Sequence, residues 1–246
     1  MTSDTELVSL AIKMIKKYCT HGIVAGTASG AAFGVFVLFV VSPQIAAIES
    51  AHASGFHSTA ESTLAFSTLF TIGGSTVWRL ILGLIFSLLY YIFENLLPGS
   101  HRSNPFLLAG AGFVTVSGVP WLLLPPSVEP VVEGLSQSTR TLLYFGGIGA
   151  GAVTASTSLY LSSRVTNRGT IETIGISATP FAVTLITGFV IRMTMLQPTV
   201  SSYNWGYAAT VVLGQLLLWL SLAGIFSISM SHRSPDAVAE IAETSP

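Results

Sequence analysis

Apolar residues run without a single charge from Gly22 to Val41, and five more stretches of the same kind follow along the chain. Twenty helical residues cover about 30 Å, the thickness of a bilayer's hydrocarbon core. The pattern predicts membrane spans at Gly22–Val41, Thr76–Phe93, Pro105–Leu124, Leu142–Ser162, Ile174–Met195 and Gly206–Met230. Ahead of the first span, Leu7, Leu10, Ala11, Met14, Ile15 and Tyr18 recur at helical spacing, with Lys13, Lys16 and Lys17 on the other side. That is the pattern of an amphipathic helix lying on a membrane surface. Ser42 to about Thr63 reads as a polar loop. Leu64–Ile72 is apolar but short, and Gly73-Gly74-Ser75 is expected to break it. The expected fold is therefore all-α: a polytopic transmembrane helical bundle of six spans. Residues 1–20 form an amphipathic cytoplasmic segment, 21–230 the transmembrane domain, and 231–246 a polar, acidic, disordered cytoplasmic tail.

Charge sets the orientation. With the N-terminus inside, the cytoplasmic side carries Lys13, Lys16, Lys17, Arg102, Arg164, Arg168 and Arg233. The outer side carries only Arg79, Arg140 and Arg192, each at or near an expected helix end. An excess of basic residues marks the cytoplasmic face, so both termini are expected there, in a multi-pass protein of the cell membrane. The first apolar run is also longer than the core of a signal peptide, which reads as a retained span.

Composition sharpens the class. Half the residues are hydrophobic and 9% are charged, against about 25% charged in soluble domains. The partner implied first is the lipid bilayer. A net charge of −1 offers no nucleic-acid footprint. One cysteine, Cys19, excludes an internal disulfide framework. No Walker A motif is present, and no span carries central histidines that could ligate haem. No cofactor and no enzymatic activity are expected. Thr27-Ala28-Ser29-Gly30 resembles the serine motif of rhomboid proteases, but every histidine lies outside the spans or at their edges. A serine nucleophile without a base in reach is inert.

Three features could carry chemistry. Gly22, Gly26, Gly30 and Gly34 recur every four residues and leave one face of the first span bare, which invites close packing of another helix. Gly146, Gly147, Gly149 and Gly151 are a candidate counterpart. The outer loop after the first span holds Glu49 and His52, then His57 and Glu61, spaced three and four apart. On helical segments each pair shares a face. Two imidazoles and two carboxylates suit a borderline divalent cation such as cobalt, nickel or zinc. The competing reading is a solvated polar loop. Glu129 and Glu133 lie in the next outer loop and would concentrate cations at the same mouth. No span has an acid or histidine at its centre. A midplane site would need Ser, Thr, Gln215, or carbonyls released by Pro120 or Pro180. Glu94 and Asn95 read as interfacial groups.

These motifs together resemble the CbtA family of predicted cobalt transporter subunits. The resemblance rests on the glycine-spaced first span ending near Pro43 and on the Glu/His loop from Glu49 to Glu61. It also rests on Gly118-Val119-Pro120-Trp121 with the Pro125-Pro126 turn, and on the fourth span led by Arg140-Thr141. It implies import of cobalt linked to cobalamin synthesis, and a small single-span histidine-bearing partner, CbtB. Nothing in the spans names the solute, so a non-transporting scaffold subunit and a transporter of another solute stay open.

Overall fold

The first span does not stop where the polar residues begin. Helix α1 (Thr2–Phe36) passes into a π-helical turn, Val37–Val41, and on into α2 (Ser42–His52). The computed structural model describes residues 2–52, 61–97, 100–126, 136–165, 170–196 and 204–231. Helix α3 (Glu61–Phe93) closes on a 3₁₀ turn, Glu94–Leu96. Next, α4 (Asn104–Phe113), a π turn at Val114–Gly118 and α5 (Val119–Leu123) make one continuous span. Helix α6 is Gln137–Arg164, α7 is Thr170–Ile191 with a π turn at Arg192–Leu196, and α8 is Trp205–Ser231. There is no strand among the described residues. Among the described residues six segments are long and apolar enough to cross a membrane: Ala11–Ile48, Thr76–Leu96, Asn104–Leu123, Gln137–Arg164, Gly175–Thr194 and Trp205–Ser231. The chain is a multi-pass membrane protein, and the six expected spans are all present.

Two local expectations are corrected. The expected loop from Ser42 is helical to His52, and helix resumes at Glu61. Proline lacks an N–H, and its ring clashes with the carbonyl four residues back. Ahead of Pro43 the helix widens instead of stopping, and the Ser42 N–H bonds the Val37 carbonyl, five residues back. The same device precedes Pro120, where the Val119 N–H bonds the Val114 carbonyl. The third π turn also ends two residues ahead of a proline in the sequence, Pro198. Local π adjustment is how a membrane helix accommodates proline, because no water is present to satisfy a broken ladder. The second correction is at Gly73-Gly74-Ser75, which does not interrupt α3. Two glycines cost about 1 kcal/mol each in a helix interior, and the continuous apolar segment on either side outweighs that.

Successive spans run antiparallel. Along the α1–α3 contact, Gly22 meets Ser87, Gly26 meets Gly83, and Gly30 meets Arg79, so one set of numbers rises as the other falls. Helix α8 packs on α1 through Gly214 against Phe33 and Phe36, and on α4 through Trp219 against Gly112. The apolar core lies where these helices meet: Ala25, Phe86, Tyr90, Ala109, Trp219, Leu222, Ala223 and Phe226. Helices α6 and α7 flank α4 and α5. Gly147 sits on the Pro120 backbone, Gly151 on Thr115, and Gly188 on Leu122. Burial follows size more than polarity. Ser87, Ser117, Thr154, Ser158 and Ser162 are buried, while Phe39, Leu142, Val153 and Ile186 are exposed. Lipid solvates large apolar side chains as well as protein does, so small residues collect at helix contacts.

Candidate functional site

In the sequence the expected cation ligands lie at the ends of α2 and α3 and in the stretches that follow α2 and α5. Glu49 and His52 belong to the backbone of α2, and Glu61 opens α3. Their side chains, and all of His57, Glu129 and Glu133, lie outside the described residues. The helix order brings the end of α2, the start of α3, the end of α5 and the start of α6 to one end of the bundle. At this end α2 is tied to α8: the Gln44 amide Nε2 donates to Thr210 Oγ1 at 3.0 Å, and that hydroxyl donates to the Gly206 carbonyl.

The glycine face of α1 is occupied by the chain's own α3. A Cβ on Gly26 would fall 2.6 Å from the Arg79 carbonyl oxygen and 3.0 Å from Gly83 Cα. Gly34 is buried as well. In α6 only two of the four glycines behave this way. Gly147 and Gly151 touch the facing helix, whereas Gly146 and Gly149 have open space where a side chain would be. Ser29, buried on α1, donates to the Gly26 carbonyl of its own helix.

The sequence places Arg79 on the outer side, at or near a helix end. It lies instead within α3, only 8% exposed, with its guanidinium 3.8 Å from the centroid of the Phe33 ring. Gly30 is the reason it fits, because the Arg79 side chain runs across the bare backbone there, 3.1 Å from where a Cβ would sit. A planar cation stacked on an aromatic face is worth about 0.5–2 kcal/mol. Arg79→Lys keeps the charge and loses the stacking geometry. It is expected to lower stability by about 1 kcal/mol, read as the unfolding midpoint in detergent. In a Phe33→Leu background the same change should cost less.

Pro120 releases a carbonyl, as the sequence suggested. The backbone oxygen of Val116 has no N–H at residue 120 to accept from. Tyr144 of α6 donates its hydroxyl to that oxygen at 3.2 Å. The released group is thus consumed by a neighbouring helix. A second interhelix bond joins the hydroxyls of Thr154 and Thr184 at 2.6 Å, pinning α6 to α7.

At the opposite end of the bundle the structure assembles a group that the sequence reading missed. Glu94, in the turn closing α3, bonds His101 Nδ1 at 2.8 Å through one oxygen and accepts the Tyr18 hydroxyl with the other. Tyr90 stands 3.5 Å from His101 Nδ1 and packs edge-on against its ring. Tyr18 and Glu94 are 76 positions apart, and no periodicity links them. The nearest signal was a carboxylate and an imidazole on either side of Pro98-Gly99, which reads only as a turn.

Six apolar helices, stitched by small residues and a few intramembrane polar bonds, define a multi-pass α-helical membrane protein with no soluble domain among its described residues. A family model described as "Probable cobalt transporter subunit (CbtA)" matches residues 15–231. The chain belongs to this family, in agreement with the motif resemblance. No curated protein and no solved structure matches it.

Proposed function

We propose that the protein is the multi-pass permease subunit of an importer for cobalt or a related divalent cation, serving cobalamin synthesis. It works as a transport component and not as an enzyme. The observation that carries this reading is family membership across nearly the whole chain, including all six spans. In the proposed cycle, Glu49, His52, His57 and Glu61, helped by Glu129 and Glu133, gather the ion on the outer face. Imidazole and carboxylate are suitable donors for a borderline divalent cation. Helix order supports the grouping, since both outer segments join spans at the same end of the bundle. A small single-span histidine-bearing partner of the CbtB kind would raise the local density of ligands there. The π turns ahead of Pro43 and Pro120 are the points where the spans bend most readily, and a conformational change through them would release the ion to the cytoplasm.

In the scaffold alternative the glycine faces dock other subunits. On the first span Gly22, Gly26 and Gly30 already contact α3, whereas Gly146 and Gly149 of α6 have open space beside them. The test is uptake of radiolabelled cobalt at limiting concentration by cells expressing the protein and its partner. Replacing Glu49, His52, His57 and Glu61 together by alanine should lower uptake by about tenfold or more, with membrane insertion unchanged. Equal uptake by the fourfold variant refutes the ligand assignment. Equal uptake with and without the wild-type protein refutes transport altogether.

A further inference from the structure

The group at the far end of the bundle has the architecture of an oriented metal ligand. His101 stands in the short turn between α3 and α4, with its side chain 57% exposed. Its partner Glu94 is 21% exposed, held from the other side by Tyr18 of α1. An ionised carboxylate only accepts hydrogen bonds. The 2.8 Å contact therefore fixes the neutral imidazole as the Nδ1–H tautomer. In that neutral form Nε2 carries the lone pair, on a ring that is more than half open to its surroundings. A carboxylate behind a ligating histidine sets the ring's tautomer and orientation, and such support is worth about 10–100-fold in metal affinity.

The turn that carries His101 is itself docked. The Ser227 hydroxyl of α8 donates to the Arg102 carbonyl at 3.3 Å, and Asn104 Nδ2 donates to the Glu94 carbonyl at 3.5 Å. Tyr90, buried in the core, packs against both Tyr18 and His101. Four elements thus converge to aim one imidazole.

We infer that His101 Nε2, backed by Glu94 and Tyr18, is a transit ligand for a borderline divalent cation at the end of the bundle opposite the Glu/His loop. One nitrogen donor with waters completing the sphere binds weakly, as an exit site must if the ion is to leave. The negative charge of Glu94 favours the cation over bulk solvent. An imidazole donor selects cobalt, nickel or zinc over magnesium. This inference rests on the permease reading for its direction of flow. The binding chemistry stands independently of uptake and is tested on the purified protein.

The experiment is equilibrium binding of Co²⁺ to the full chain in detergent, in the background where Glu49, His52, His57, Glu61, Glu129 and Glu133 are alanine. About one weakly held Co²⁺ per chain is expected, unaffected by excess Mg²⁺. His101→Gln should abolish this binding. Glu94→Gln should weaken it about 10–100-fold, and Tyr18→Phe should weaken it less. Circular dichroism and elution volume identify any variant that has failed to fold. For that case, alkylation of the imidazole on the otherwise unaltered chain gives a second reading, and bound Co²⁺ should protect His101 from it. Unchanged Co²⁺ binding in folded His101→Gln, or alkylation of His101 indifferent to Co²⁺, overturns the inference. If the wild type transports no cobalt but this binding behaves as expected, the permease reading fails and the site stands.

Discussion

Replacing Gly83 by leucine is expected to prevent α1 and α3 from closing, with loss of most folded protein from the membrane fraction. A Cβ at Gly83 would lie 2.7 Å from Gly26 Cα and closer still to the Gly22 carbonyl oxygen. Both obstacles are backbone, so no rotamer change relieves them. Overpacking by a single added group in a tight core costs about 1–3 kcal/mol, and leucine adds a whole branched side chain. Water would push separated apolar faces back together, but lipid does not. Association in the bilayer depends on close contact, which is the quantity this substitution removes. Gly149→Leu is the matched comparison, because nothing stands within 4 Å of its Cβ position. That variant should unfold at the wild-type temperature in the same detergent. A Gly83→Leu midpoint indistinguishable from wild type would contradict the α1–α3 contact.

Tyr144→Phe is expected to destabilise the protein by about 1 kcal/mol, the cost of removing a hydrogen bond to a part-buried acceptor. The phenol ring stays and only the oxygen that reaches the Val116 carbonyl is removed. The carbonyl depends on that hydroxyl because residue 120 is proline and provides no N–H. Pro120→Ala restores a donor on the same helix. In the Pro120→Ala background, Tyr144→Phe should therefore cost much less, giving a coupling of up to about 1 kcal/mol in a double-mutant cycle. The measurement is the denaturation midpoint of the four proteins in one detergent. Additive effects would show that the Tyr144 bond does not answer the proline.

Much of this architecture is legible along the chain because the hydrocarbon layer acts on each residue locally. Every span from Thr76 onward begins and ends within a few residues of where the apolar pattern does. The misreadings share one cause. Ser42-Pro43 and Gly73-Gly74-Ser75 carry the residues that end helices in water, where a free carbonyl or N–H finds solvent. In a long membrane helix the ladder is kept instead, by a π turn at Pro43 and by plain continuation through the glycines. The candidate site divides the same way. The spacing of Glu49, His52, His57 and Glu61 is visible in one short stretch of sequence. The Tyr18–Glu94–His101 group is assembled from α1, the end of α3 and the turn before α4.

Six membrane crossings, their alternation and their bare glycine faces were determined by the sequence alone, since apolar length and small side chains act residue by residue. The tertiary structure decided which faces meet. It set Gly22, Gly26 and Gly30 against α3 and left Gly146 and Gly149 facing outward. It turned Arg79 inward onto Phe33 and gave the Val116 carbonyl to Tyr144. The reason is that helix surfaces in lipid differ little in polarity. Shape and a few directional polar bonds choose among them, and those exist only once the helices are side by side.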